Sequence, residues 1–296
     1  MILVTGATGF VGSHLVKRMR KESMPVRAVV RSAAKAQALT DLGVEVVPGD
    51  INDPASLESA ARGCDKVIHL VGIIQEGRNF TFRSVHVEGA RNVLDAAKKA
   101  GVQHFIYQSA LGTRENAKSE YHRTKYEAEK LVKASGIPFT ILRPSLIYGP
   151  GDLFTIRLAE MIRLSPVLPV IGSGRSKIQP LYIEDVVSCI VKIAAGGVHL
   201  GRTYEVGGPE ALTYEEVTKA IAKALGVDRP VVHMPLSFMR GIALVAETVL
   251  HKAPVTMDQL IMLQEDNVCD VQNIREAFGI EPVEFRAGLA KFLGKP

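Results

Sequence analysis

The sequence predicts an α/β protein: a doubly wound parallel sheet over residues 1–150, then a smaller C-terminal α/β subdomain over residues 151–296, partly interleaved with the first. Three observations carry that expectation. Short β-branched runs alternate with helical stretches through the first half. Those runs are apolar almost throughout, as strands covered on both faces are. Glycines stand where the intervening helices should end.

In order, strands are expected at 2–4, 26–30, 44–47, 67–71, 105–108 and 139–142, each rich in Val, Ile, Leu or Phe. Apolar residues at helical spacing place helices at 10–21, 33–42, 55–61, 82–100 and 121–134. Gly43, Gly63, Gly101 and Gly136 close four of them, because glycine accepts the left-handed conformation found at helix C-termini. The basic groups Lys17-Arg18-Met19-Arg20-Lys21 and Lys98-Lys99 fall at helix ends, where cations complement the helix dipole. Beyond Gly149-Pro150-Gly151 the rhythm changes, with a second loop at Gly172-Ser173-Gly174. Helices are expected there near 153–164, 183–195, 214–225 and 236–250, with strands at 203–206 and 231–234.

Composition narrows the class. The chain is 47% hydrophobic and 23% charged, enough apolar residue to bury a core and to exclude a disordered chain. Cys64, Cys189 and Cys269 are odd in number, far apart and without a C-x-x-C pair, which argues against a disulfide framework and a zinc site. That usage fits a reducing cytoplasm. The net charge of +5 would suit a polyanion, but the basic residues are scattered and no aromatic-interleaved basic stretch accompanies them, so nucleic acid is not an expected partner. The first strand follows Met1 directly, which predicts no signal peptide, and the lack of a run of about 18 apolar residues predicts no membrane-spanning helix.

The chemistry begins at Thr5-Gly6-Ala7-Thr8-Gly9-Phe10-Val11-Gly12, between the first strand and the first helix. Glycines at this spacing let the backbone turn tightly and approach a pyrophosphate, which then sits on unpaired amides at the helix N-terminus. Gly6, Thr8, Gly9, Phe10, Val11 and Gly12 are the expected contacts. The cofactor's identity turns on the end of the second strand, where an acidic residue would hold the ribose of NAD. Arg31-Ser32 stands there instead, and a guanidinium suits the 2′-phosphate of NADP(H), which is expected over NAD(H); a solvated surface arginine is the plain alternative. Asp50 and Ile51 follow the third strand, placed to accept the adenine amino group and cover its ring. Leu70, Val71 and Gly72 end the fourth strand at the crevice where such sheets bind ligands.

The catalytic candidate is Tyr121-His122-Arg123-Thr124-Lys125. Residues four apart share a helix face, so the Lys125 ammonium can favour the Tyr121 phenolate and tune it as a general acid/base. Such spacing is cheap: Tyr126 and Lys130 repeat it.

The glycine turn, Tyr121-His122-Arg123-Thr124-Lys125-Tyr126-Glu127-Ala128-Glu129, Leu142-Arg143-Pro144-Ser145-Leu146-Ile147-Tyr148-Gly149-Pro150 and Tyr182-Ile183-Glu184-Asp185-Val186 resemble the extended short-chain dehydrogenase/reductases over nearly the whole chain. The resemblance implies a Rossmann fold and chooses Tyr121 over Tyr126. It also implies that Pro144, Ser145 and Ile147 lie beside the nicotinamide and that Lys125 holds its ribose. Closer still, Leu263-Gln264-Glu265-Asp266-Asn267-Val268 is similar to the atypical branch that contains the nucleotide-binding accessory subunit of respiratory complex I and its bacterial relatives. That branch binds NADP(H), its complex I member is regarded as structural or regulatory, and a yeast relative is linked to ubiquinone biosynthesis.

Two departures stand out. His86 occupies the usual Asn position, and Gln108-Ser109-Ala110 leaves alanine at the usual catalytic hydroxyl, with Ser109 one residue early as its substitute. A donor of this kind is worth ~10²–10³ in rate. The leading expectation is therefore an NADP(H)-dependent oxidoreductase with an incomplete tetrad, acting on a carbonyl, isoprenoid or quinone-like substrate through Tyr121, Lys125 and Ser109. The alternatives are a non-catalytic NADP(H)-binding module of a respiratory or quinone-biosynthesis assembly, and a nucleotide-sugar epimerase or dehydratase. Phe238, Met239, Ile242, Val245, Val249 and Leu250 recur at helical spacing and read first as a core-facing or dimer-facing helix. The alternative is contact with a membrane surface, which would place a cytoplasmic protein at the inner face of the membrane. No metal is expected.

Overall fold

The computed structural model describes residues 1–196, 199–250 and 253–293. They form two compact units, Met1–Arg143 with Val186–Tyr204, and Pro144–Asp185 with Glu205–Pro296.

The first unit runs β1 (Ile2–Thr5), α1 (Phe10–Lys21), β2 (Val26–Val30), α2 (Ala33–Thr40), β3 (Glu45–Pro48), α3 (Pro54–Ala61), β4 (Lys66–His69), α4 (Gly89–Lys99), β5 (His104–Gln108), α5 (Glu120–Ala134) and β6 (Phe139–Pro144). A π-helical stretch, Arg83–Glu88, leads into α4. Strands β3, β2, β1, β4, β5 and β6 lie side by side and pair in parallel, and Arg202–Val206 flanks β6. The order reverses between β1 and β4, the switch point at which ligands bind in such sheets. Leu3, Val67, Phe105, Tyr107 and Ile141 bury one sheet face against Leu57, Val93, Ala128 and Val132 of α3, α4 and α5. Each such large apolar side chain contributes about 1.5–3 kcal/mol relative to exposure. Gly43, Gly63, Gly101 and Gly136 adopt positive φ (70–79°), as helix-closing glycines do.

Three boundaries differ from expectation in ways that matter for the site. β4 ends at His69 rather than residue 71, which releases Leu70, Val71 and Gly72 into the crevice loop. The helix expected over 82–100 is π-helical over Arg83–Glu88, a wide turn of the kind that gathers at functional sites. The third strand is shifted by one residue, to Glu45–Pro48.

The second unit contains β7 (Ile147–Tyr148), α6 (Phe154–Leu164), β8 (Leu168–Ile171), β9 (Lys177–Ile178), β10 (Leu181–Tyr182), the start of α7 (Ile183–Ala195), the end of β11 (Arg202–Val206), β12 (Leu212–Thr213), α8 (Tyr214–Ala224), β13 (Val231–Met234), α9 (Leu236–Val249), α10 (Met257–Met262), α11 (Gln272–Phe278) and α12 (Phe285–Ala290). Capping boxes start α8 (Thr213 with Glu216) and α10 (Thr256 with Gln259), each satisfying two otherwise unpaired backbone donors. Of the stripe expected to face the core or a dimer partner, α9 turns only Met239 to its core. Met239, Ala243 and Ala246 point inward, while Phe238 (58% exposed), Val245 (62%) and Val249 (72%) face outward with Ile242 and Leu250. Small residues suffice where α9 approaches its core, and the bulky ones are left outside.

Tyr148 is fully buried beneath α12, in edge contact with Phe285 (4.8 Å between ring centres). A Cβ on Gly288 would lie 2.0 Å from the Tyr148 hydroxyl. Gly288→Ala is therefore expected to lower the thermal midpoint of the protein, by overpacking worth roughly 1–3 kcal/mol. A melting curve superimposable on that of the wild type would refute this packing.

Candidate functional site

The glycine turn folds as its spacing requires. Gly6 has φ +84°, a conformation that side chains resist, and the Gly9 amide donates to its carbonyl (3.0 Å). Gly12 packs so closely that a Cβ there would fall 2.1 Å from the Gly6 oxygen. No side chain caps Gly9 at the start of α1, and no acidic residue lies in the first turn, which suits its leading amides to an anion. Thr8 and Gly9 are exposed, Phe10 is half-buried, and Val11 and Gly12 are buried. Gly6 also abuts the Leu70–Val71 peptide, with 3.1 Å between its Cβ position and both the Leu70 carbonyl carbon and the Val71 nitrogen. The structure thus brings the turn and the end of β4 together.

Arg31 lies beyond the end of β2 with its side chain 76% exposed and Nη1 3.7 Å from Asp50 Oδ2. The other Asp50 oxygen accepts the Asn52 amide (2.9 Å). Ile51 is buried against Gly89 at the head of α4, so it is a packing residue as well as a candidate cover for a ring.

At the other side of the switch point, Lys125 is buried and donates to the Gln108 carbonyl (2.8 Å) and towards the Tyr107 hydroxyl (3.4 Å). Burial pushes its pKa down to about 8, with Glu129 opposing the shift. Glu129 is itself held bidentately by Arg143 (2.8 and 2.7 Å). A Cβ on Gly72 would lie 3.3 Å from Lys125 Nζ and 3.6 Å from His86 Nε2, so Gly72 floors a small cradle walled by the lysine and the histidine.

Tyr121 sits in the first turn of α5, which Ser119 caps by accepting the His122 amide (3.2 Å). Its half-buried ring meets those of His86 (5.4 Å), Phe82 (6.0 Å) and His122 (5.1 Å) edge-on. His86 ties these parts together. The Thr124 hydroxyl donates to backbone carbonyls of Glu120 (2.9 Å) and Tyr121 (3.1 Å), so it accepts from His86 Nδ1 (2.9 Å), while Nε2 accepts the Ile73 amide (3.1 Å). Burial and the nearby Lys125 push the His86 pKa down to about 2, which keeps the ring neutral. A histidine in place of the usual Asn therefore joins the crevice loop to the helix that carries Tyr121 and Lys125.

Ser109 is buried, and its hydroxyl points to Thr113 Oγ1 (3.4 Å). Pro144, Ser145 and Ile147 belong to the second unit. There the Ser145 hydroxyl donates to Asn267 Oδ1 (2.5 Å) and the backbone amide to Val206 (2.8 Å), while Ile147 pairs with Leu181. Sequence reasoning missed Tyr107, Gln108 and Asn267 as partners of the predicted residues. A tyrosine and a glutamine closing an otherwise apolar strand were the available signal for the first two. Among the described residues, no group of three or more His, Cys, Asp or Glu is arranged to hold a metal ion, and no helix is long and apolar enough to cross a membrane.

Residues 6–152 match a family model described as NAD(P)H-binding, and 111–235 match one for the 3-beta hydroxysteroid dehydrogenase/isomerase family. The chain is 34% identical over 239 residues to the ceramide reductase of Caulobacter vibrioides, covering 79% of this chain and 74% of that protein. It is 30% identical over 259 residues to the mitochondrial NADH dehydrogenase [ubiquinone] 1 alpha subcomplex subunit 9 of Arabidopsis thaliana, covering 85% of this chain and 64% of that protein. Among solved structures, the NADPH-dependent quinone oxidoreductase of Escherichia coli, complexed with NADPH, superposes with a TM-score of 0.77 at 26% identity, over 99% of this chain and 98% of that one.

Proposed function

This chain belongs to the NAD(P)H-binding extended short-chain dehydrogenase/reductases, and from that premise we propose that it reduces an apolar carbonyl or quinone-like compound with NADP(H). The observation that carries the reading is the cradle at Gly72, where Lys125 and His86 converge beside Tyr121. The tight turn that Gly6, Gly9 and Gly12 permit, the uncapped start of α1 and the cradle at Gly72 together support a dinucleotide lying from the turn to that cradle. When bound, the nicotinamide supplies a hydride. Tyr121 Oη gives its proton to the substrate oxygen as that oxygen gains electron density, and Lys125, charged below about pH 8, favours the resulting phenolate. Ser109, just past the end of β5, is a hydroxyl that could polarise the substrate, and Phe82 with the exposed Ile74 and Phe80 gives the crevice loop an apolar lining. The names of the relatives that act on ceramide and quinones support an apolar substrate.

The preference for NADP(H) rests on Arg31 and the absence of an acidic residue at the end of β2. NADPH is expected to bind at least about tenfold more tightly than NADH, as a bidentate guanidinium–phosphate contact allows, and Arg31→Asp to reverse the order. Calorimetric titration with both cofactors checks this, and equal dissociation constants in the wild type would rule it out.

A second reading, a non-catalytic NADP(H)-binding accessory module, is supported by Ala110 and by the outward apolar face of α9, which offers a surface to a membrane or an assembly partner. NADPH bound but never consumed across a panel of apolar aldehydes, ketones and quinones, together with recovery of the protein on lipid vesicles, would favour it over the reductase.

A further inference from the structure

Lys125 is an unusual buried cation. Among the described residues no carboxylate lies within ion-pair distance of Nζ, since Glu129 is taken by Arg143. Its contacts are a carbonyl and an aromatic ring: Gln108 O at 2.8 Å, the Tyr107 hydroxyl at 3.4 Å, and the Tyr107 ring centre at 4.8 Å. A cation over a desolvated ring face is attracted by the ring's negative quadrupole. The ring is in turn held from the sheet. Tyr107 is fully buried and stacked on His69 (5.7 Å, 17° between planes), and His69 Nδ1 bonds Thr5 Oγ1 (2.6 Å). Thr5, His69 and Tyr107 lie in register across β1, β4 and β5, so the array begins at the residue before the glycine turn and ends under the lysine.

We propose that Tyr107, together with the Gln108 carbonyl, is a positioning seat that holds the Lys125 ammonium charged and aimed at the Gly72 cradle. The inference rests on the assignment of that cradle to the dinucleotide. The groups facing Lys125 are Tyr107 on β5, His69 on β4, His86 on the π-helical stretch, and Glu129 with Tyr121 on α5 itself. Burial and the lysine keep His69 (pKa about 3) and His86 (about 2) neutral at working pH. The carboxylate of Glu129 therefore pulls the lysine towards its charged form, and neither histidine adds a competing cation.

The test is a titration of Lys125 itself, followed by NMR of protein carrying ¹³C-labelled lysine and assigned with Lys125→Met. In Tyr107→Leu the midpoint is expected about one pH unit lower than in the wild type, since a desolvated cation–ring contact is lost. Tyr107→Phe keeps the ring and shifts less. Phenylalanines of increasing fluorination at position 107 preserve shape while draining the ring face, so they lower the midpoint stepwise, and they decide the matter if the leucine variant does not fold. The alkaline limb of NADPH-dependent turnover should move with the midpoint. An unchanged midpoint in the leucine variant or along the fluorinated series overturns the seat. A wild type that binds no NADPH overturns the functional reading instead, and leaves the lysine titration to judge the seat separately.

Discussion

Tyr121→Phe retains NADPH binding and loses turnover by roughly 10²–10⁴-fold, the usual contribution of a positioned acid. The substitution removes one oxygen and nothing else. The ring is placed by edge contacts with Phe82, His86 and His122, all of which phenylalanine can make, and the Ser119 cap of α5 is untouched. Tyr126→Phe is the matched control: Tyr126 is half-buried near Lys130 (5.6 Å from its ring centre), in the second copy of the spacing, and its loss leaves the rate unchanged. Rates of NADPH oxidation with a quinone or ketone substrate, beside NADPH dissociation constants, separate chemistry from binding. Full activity in Tyr121→Phe would remove the tyrosine from the mechanism.

Gly12→Ala should have the largest effect on binding. Its new methyl group would lie 2.1 Å from the Gly6 oxygen and 2.7 Å from the Ala7 Cα, both backbone atoms of the turn, so the loop must open. Overpacking of about 1–3 kcal/mol, levied on the binding-competent turn, corresponds to roughly 10–100-fold weaker dinucleotide binding. Gly9→Ala, whose Cβ would meet the same oxygen at 3.2 Å, should be milder. That ordering separates a steric effect on the turn from a loss of helix quality, because alanine favours the helix at Gly12 inside α1 and disfavours it at the Gly9 N-cap, so a helix effect would give the reverse order. Circular dichroism confirms that the variants fold. An equal loss at the two positions, or none at either, would count against the turn as the anchor.

Much of this was legible in the sequence because it follows from local chemistry. α1 begins and ends at the expected residues, Phe10 and Lys21, since a glycine turn starts it and apolar spacing defines its buried face. β2 likewise matches its apolar run. The π-helical turn at Arg83–Glu88 was not legible, because it reflects the two-sided anchoring of His86 by Thr124 and Ile73, contacts 38 and 13 residues away. The helices α10, α11 and α12 span six or seven residues each, too short for apolar periodicity to declare itself, and tertiary packing such as Phe285 on Tyr148 holds them. At the candidate site, spacing singled out Tyr121 and Lys125 as expectations but could not say what Lys125 rests on. Tyr107 and Gln108 come from a different strand, and only the folded sheet brings them under the helix.

A crystal structure of the wild-type protein with NADPH tests the central claim most directly. The diphosphate is expected against the backbone of residues 6–12 and the nicotinamide end at Gly72, within reach of Lys125, with the 2′-phosphate at Arg31. A dinucleotide lodged elsewhere, or none at saturating concentration, would contradict it.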